Sequence, residues 1–562
     1  MLSMDRNIPV RAMPVSTFLL SESPSSYIKS PPLNSREAAT KRRMSSRKTP
    51  WSQRYGHVEL VFGIVAPVGI DYAQVSENLA SQLTEFGYKS NVFKLSDQIG
   101  ILSKMMGITC ELHSSPEFLR IESHMKAANK LYGRFNEHAP EDEKNALLAL
   151  VGVNEIAKVR AKEAASRALY NQAHIFLTLK RPEEINYLRK IYGVGLHIIG
   201  VFATEEERLK YLIRRKHVTD EEAATLIEHD ENDRLDNGQR TGDSFHLADV
   251  FVDVGVGADD WKRQLGRYLD LLFSHPYESP SRDEQAMFLA HSASLRSAQL
   301  GRQVGAAITT EDGDLLSIGC NEVPKAFGGQ YWDGSLLDER DHRKGIDSND
   351  VEKNKILDEI MRVMPDGYKD SSRLRDEIRK TSLFSITEFG RATHAEMEAI
   401  LSCSRRGIST KGAVLYTTTF PCHNCARHII GAGIKKVVYI EPYPKSKAAD
   451  LHQDAISLTE ETRDCNPPQK VPFVPFVGVS PRKYAELFTV KPMYGKEVDR
   501  KLKVSGNAIN WERKKTGLRL QMMPLSYIER EAFAISSLAE TLEQPALGFG
   551  DSKILNQQED PS

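Results

Sequence analysis

Thr417-Thr418-Thr419-Phe420-Pro421-Cys422-His423-Asn424-Cys425 decides how the second half of this chain is read, together with the earlier run Thr393-His394-Ala395-Glu396. The strand-like segment Ala413–Thr417 runs into Thr419 and Pro421, which signal a helix start, since proline suits the first helical position. Cys422 and Cys425 then fall one turn apart on one helical face. His394-Ala395-Glu396 stands at the head of a second, amphipathic helix, with Met397, Ile400 and Leu401 expected toward the core. Strands alternating with helices on both sides of these runs predict an α/β fold.

Two helix starts carrying one imidazole and two thiols make a metal-ligand set. Helix N-termini stabilise thiolates, the form that binds metal. Zinc takes Cys and His in tetrahedral array, and a catalytic site keeps its fourth position open. His394, Cys422 and Cys425 supply three ligands, and Zn2+ is the expected cofactor. A metal so held lowers the pKa of a water toward neutrality, and Glu396 is near enough to take its proton. H-x-E followed by P-C-x-x-C is the signature of zinc nucleobase deaminases, in which the glutamate is not a ligand. Plainer readings exist for each piece. Thr393-x-x-Glu396 fits a capping box, and Cys-x-x-Cys fits a redox pair or half of a four-ligand structural zinc. No second Cys/His pair with that spacing accompanies it, and the two runs occur in the signature's order.

Outward from these runs, the second α/β unit is expected over 282–500. It has an apolar helix through Leu300, strands at Ala306–Thr309, Leu316–Gly319 and Val437–Ile440, and a charged, helical insertion at 333–380. A tail follows with Phe473-Val474-Pro475-Phe476-Val477-Gly478, and 501–562 is a C-terminal extension with a disordered end. Upstream, 56–275 reads as a separate parallel-sheet domain. Its strands fall at Val58–Val65, Asn91–Leu95, His174–Leu179 and Leu196–Ala203, with Phe251–Val254 the last. Asp71 is the expected cap of a helix carrying Val75, Leu79 and Leu83. Residues 1–55 form a Ser-, Pro- and base-rich tail expected to be disordered.

The chain of 562 residues has 75 Lys and Arg against 76 Asp and Glu, a formal net charge of −1. That balance argues against affinity drawn mainly from a polyanion. Six cysteines, four of them scattered, form no disulfide framework. There is no apolar run of about 18 residues and no signal-peptide start, so a cytoplasmic protein without membrane contact is expected.

The run from Tyr416 through Ala426, continuing Ile429-Ile430-Gly431-Ala432-Gly433-Ile434 to Val437-Val438-Tyr439, closely resembles deoxycytidylate deaminases. So does Val304–Ile308 with Gly319-Cys320-Asn321-Glu322-Val323-Pro324. The resemblance implies a cytidine-deaminase-like α/β/α domain. Its substrate contacts fall on Asn321, placed against the deoxyribose, with Thr419 and Arg391 as further candidates. Cys320 and Glu322 stand where that family usually has Tyr and Gly. Glu59–Gly69 looks like a strand entering a phosphate-binding loop, with Gly63, Pro67, Gly69 and Asp71 as candidate nucleotide contacts. Ile70 and Asp71 replace the usual lysine and Ser or Thr, which argues against phosphoryl transfer. A merely structural α/β domain fits that loop equally well.

A P-loop kinase-like domain joined to such a deaminase resembles the bacterial anti-phage dCTP deaminases. That resemblance implies conversion of dCTP and dCMP to uracil nucleotides, control through the N-terminal domain by a nucleotide effector, restraint by a small RNA or small protein, and homo-oligomers. The competing reading is a polynucleotide deaminase acting on tRNA or single-stranded DNA. It needs a basic channel and stacking aromatics, for which Tyr331 and Trp332 are candidates. A non-enzymatic zinc-binding protein is a third reading, against which the intact Glu396 speaks.

Overall fold

The computed structural model describes residues 58–542, apart from 165–167, 232–238, 256–257, 366, 369–370, 444, 460–469, 492–496, 521 and 523. The expected tail over 1–55 and the expected disordered end lie outside the described residues.

β1 (Leu60–Val65) is buried at every position, as a strand covered on both faces must be. It leads through Ala66–Ile70 into α1 (Tyr72–Glu85), whose cap is Asp71, accepting from the Gln74 amide. β2 (Lys89–Lys94), β3 (Gln172–Leu177), β4 (Leu196–Phe202) and α2 (Glu205–Lys216) follow, then the short α3 (Thr241–Phe245) and β5 (Val250–Asp253). The strands order as β5-β4-β1-β3-β2, all parallel. The order changes direction at β1, so the loop after Val65 stands where open α/β sheets form their ligand crevice.

The second sheet is entered by α4 (Arg282–Ser294) and built from β6 (Gly305–Thr309), β7 (Leu315–Cys320), β8 (Val414–Thr419), β9 (Lys436–Glu441), β10 (Ile456–Ser457) and β11 (Val471–Pro475). Its order is β10-β11-β9-β8-β6-β7. The β6–β7 and β6–β8 pairs are antiparallel and the rest parallel. Three helices matter to the site: α5 (Ser348–Val363) in the charged insertion, α6 (Ala395–Arg405) and α7 (His423–Gly431).

Alternation along these strands builds two cores. Ala306, Ile308, Leu415, Val437 and Phe473 pack against α6 and α7. Ala307, Tyr416, Val438 and Val474 pack on α4 and join the core of the first sheet. The fold is mixed α/β with two parallel-rich sheets, and the described residues form one compact unit.

Several expectations are corrected. Phe251–Val254 does not end the first sheet, because β12 (Gly478–Val479) adds an antiparallel edge on β5. The Phe473–Gly478 tail is therefore two strand segments serving different sheets. A C-terminal helix, α8 (Pro524–Leu542), also returns to the first half, burying Tyr527, Ala534 and Leu538 there. Its Glu531 joins a buried network with Arg160 and Glu59, where Arg160 reaches Glu59 at 3.2 Å. The helix expected through Leu300 stops at Ser294. The Ser297 hydroxyl donates to the Asn321 carbonyl and the Ala298 amide to Glu322, tying 297–298 to the end of β7 instead.

The α6 face that meets the sheet is Ala395, Ala399 and Cys403, while Leu401 is exposed. Small residues are needed there because the helix lies on β7 without room for a side chain. A Cβ on Gly319 would stand 2.3 Å from the Ala395 carbonyl oxygen. On the opposite face a Cβ on Gly305 would stand 1.9 Å from the Ala290 carbonyl oxygen of α4. Backbone cannot give way as a flexible side chain can, so Gly305→Ala is expected to cost about 3 kcal/mol. Chemical denaturation of the two proteins checks this, and an unchanged midpoint would contradict the close packing.

Candidate active site

His394 and Cys422 are both helix caps with extended backbone, and neither makes the usual side-chain cap bond. Residues at that position usually cap with a side-chain oxygen; here both side chains turn to a shared point instead. Pro421 therefore precedes the cap rather than opening the helix. Cys425 lies within the first turn of α7, on the same side as Cys422.

The three donors converge. The Cys422 and Cys425 sulfurs lie 3.3 and 3.4 Å from the same ring nitrogen, Nδ1 of His394. All three ligand atoms fall within 4.8 Å of one another. Tetrahedral zinc, with bonds of about 2.1 Å to nitrogen and 2.3 Å to sulfur, separates such atoms by about 3.6 Å. The donor set fits that ion. Without the ion the donors pair with one another. A hydrogen bond from Cys425, and then the His394 ring, push the Cys422 thiol down to about 4. The hydrogen bond with Cys422 in turn holds the imidazole up at about 9.

Glu396 is buried, and burial raises its carboxyl above the usual range. The Cys425 sulfur donates to its Oε2 at 3.5 Å. The expected capping box is not formed. The helix is capped at His394, and Thr393 pairs as an isolated bridge with Glu322, exchanging backbone bonds of 3.1 and 3.2 Å. A capping box therefore does not account for Glu396.

His394, Glu396 and Cys422 open onto a cavity of about 610 Å³, within the range of small-molecule sites. Asn321 and Thr419 line it. The Asn321 side chain braces the rim, its oxygen accepting from the Val304 amide at 2.7 Å and its nitrogen donating to the Arg302 carbonyl at 2.6 Å. Thr419 donates to Glu441 at 3.3 Å. Arg391 is not brought into the lining; it pairs with Asp341 of the insertion at 2.7 Å. Cys320 and Glu322, the two departures from the deoxycytidylate deaminase pattern, are both buried. Glu322 accepts from the Ala298 and Val323 amides, and Cys320 lies against Gln330 and Arg296.

Sequence reasoning missed several wall residues. Asp347 and Asn349 come from the start of α5, so the insertion reaches the cavity, and Tyr443 and Lys445 lie beyond β9. Another is Asp243 of α3, from the other half of the chain. No local signal marks any of them, because each depends on tertiary approach.

At the first-half loop, Pro67, Gly69 and Asp71 line a smaller cavity of about 200 Å³. Gly69 has φ +91°, and a Cβ there would meet the Arg208 backbone. Gly63 does not line it; it sits inside β1, closely covered by Leu179 and Ile198. The loop's Val68 amide donates to the Asp230 carboxylate at 2.8 Å. Lys180 reaches both Asp230 and the Ala66 carbonyl, at 2.8 and 2.7 Å. Its ammonium stands at the loop although the lysine of the usual motif is missing.

Residues 280–441 match the family model described as the cytidine and deoxycytidylate deaminase zinc-binding region. The chain is 42% identical over 91 residues to ComE operon protein 2 of Bacillus subtilis, covering 15% of this chain and 48% of that protein. It is 52% identical over 54 residues to the deoxycytidylate deaminase of Enterobacteria phage T4, covering 10% and 28%. With the human deoxycytidylate deaminase it shares 34% over 89 residues, covering 16% and 47%. The chain thus spans about half the length, or less, of these curated relatives. A dCMP deaminase structure from cyanophage S-TIM5 aligns at 18% identity and TM-score 0.20, over 35% of this chain and 100% of the other, and carries no weight. Among the described residues no helix is long and apolar enough to cross a membrane. Over residues 280–441 the second half of this chain is thus similar to the cytidine and deoxycytidylate deaminase zinc-binding region.

Proposed function

We propose that this chain deaminates deoxycytidine nucleotides, dCMP and dCTP, to the uracil nucleotides and ammonia, using zinc held by His394, Cys422 and Cys425. The observation that carries the reading is a buried carboxylate, Glu396, against a closed set of three donors at the floor of a nucleotide-sized cavity. When bound, zinc supplies Lewis acidity and brings the pKa of a water near neutrality. Glu396 takes one proton from the attacking water and gives it to ring N3, then carries that water's second proton from the C4 hydroxyl to the departing amine. Water adds at C4 and ammonia leaves, so the step needs no further reactant. Asn321 and Thr419 hold the sugar end, and Arg302 and Lys445 on the cavity wall complement phosphate.

Free nucleotides suit this site better than a polynucleotide does. The net charge is −1, which argues against affinity drawn mainly from a polyanion, and the Arg296 guanidinium already covers one face of Trp332, 3.7 Å from the ring centroid. The first half is read as a nucleotide-responsive control domain. Support comes from the loop at the turning point of its sheet and from Lys180 beside it. The resemblance to anti-phage dCTP deaminases extends the reading to depletion of deoxycytidine nucleotides in defence.

The test is a substrate panel. Zinc-loaded chain is expected to release ammonia from dCMP or dCTP and not from cytosine within a single-stranded oligonucleotide. Conversion of the oligonucleotide alone, with binding that falls steeply as salt rises, would replace this reading with base editing.

A further inference from the structure

We propose that Asp243, supplied by the first half of the chain, is a specificity-determining residue of the deaminase cavity that penalises added phosphates on the nucleotide. The inference rests on the nucleotide-deaminase reading above. It concerns a residue outside the matched region 280–441.

Asp243 lines the same cavity as His394 and Glu396, and its position within that cavity can be read from its neighbours. The base end is the donor set with Glu396. At the other end Asn321 is bonded to the Arg302 carbonyl, and Arg302 pairs with Glu441. The helix that carries Asp243, α3, packs against β9, whose last residue Glu441 holds Arg302. Asp243 therefore stands on the Glu441 and Arg302 side of the cavity.

The other charges at that end are engaged. Arg302 is matched by Glu441. The Asp347 carboxylate accepts from the Asn349 and Asp350 amides and so caps α5. The Asp243 carboxylate makes no hydrogen bond or ion pair among the described residues, and Lys445 is a separate charge on the same wall. A monophosphate brings roughly two negative charges to this end and a triphosphate roughly four, so an unneutralised carboxylate weighs more heavily against the longer tail.

Asp243 is also held in place from behind. The Thr241 hydroxyl donates to Asp230 at 3.2 Å, and the Arg240 amide donates to the Lys180 carbonyl at 3.0 Å. The segment is thus pinned to the pair that fills the first-half loop. The carboxylate comes to this wall on a braced helix, not on a loose loop.

The experiment measures binding of dCMP and of dCTP, without magnesium, to the zinc-loaded full chain carrying Glu396→Gln, with and without Asp243→Asn. Titration calorimetry reads binding independently of turnover. Zinc content and thermal midpoint establish that both proteins are folded. Asp243→Asn is expected to tighten dCTP relative to dCMP by about fivefold. An unchanged ratio, a ratio shifted toward dCMP, or no binding of either nucleotide overturns the proposal. A shifted ratio in a chain whose parent form fails to deaminate any nucleotide would sustain the role of Asp243 and sink the deaminase reading alone.

Discussion

Glu396→Gln is expected to lower deamination of deoxycytidine nucleotides by about 10²- to 10⁴-fold while leaving zinc at one ion per chain. The size follows from removing a positioned proton carrier from a reaction that needs protons moved both onto and off the carboxylate. Three features of the structure separate this loss from a folding effect. Glu396 is not a helix cap, since α6 is capped at His394 and Thr393 is engaged with Glu322. It is not in the donor set either, because the sulfurs and Nδ1 close on one another without it. Among the described residues its one side-chain partner is the Cys425 sulfur, and glutamine keeps the shape that fills the pocket. Steady-state kinetics on dCMP beside metal analysis and a thermal midpoint checks the claim. Turnover near the parent value would remove Glu396 from the chemistry, and loss of zinc would make it a structural member of the metal site.

How much of this was legible in the sequence depends on whether the cause was local. Strands β1, β3 and β4 are buried throughout and rich in branched or aromatic residues, so their apolar runs announce them. The donor set was legible because it is carried by two short motifs whose spacing fixes side-chain direction. The insertion helix was visible from its periodicity. Close helix–sheet approach was not. A face of Ala395, Ala399 and Cys403 carries a weaker apolar signal than Met397 and Leu401 do, yet only the small residues fit over Gly319. The return of β12 and α8 to the first half was invisible for another reason. Two residues of edge strand and a lone C-terminal helix have no local preference for a sheet formed several hundred residues earlier. Asp243 and Asn349 belong to the same class, since tertiary approach alone makes them part of the cavity wall.

Cys425→Ser should weaken zinc binding by more than about a hundredfold and lower the thermal midpoint of the second half. The thiol is buried between the His394 ring and Glu396, where hydroxyl is a poorer donor for zinc and too short to reach the same point. Loss of one of three ligands exceeds what removing an outer hydrogen-bond partner usually costs. Metal binding and folding are linked, so the midpoint falls with occupancy. Cys403→Ser is the informative control. Cys403 is equally buried, on the face of α6 that packs against β7, where its sulfur donates to the Ser317 hydroxyl at 3.2 Å. It carries no ligand role in this geometry, and its serine variant is expected to hold zinc as the parent does. Full zinc in Cys425→Ser, or zinc lost from Cys403→Ser, would break the assignment of the donor set. A chelator titration separates the affinities directly.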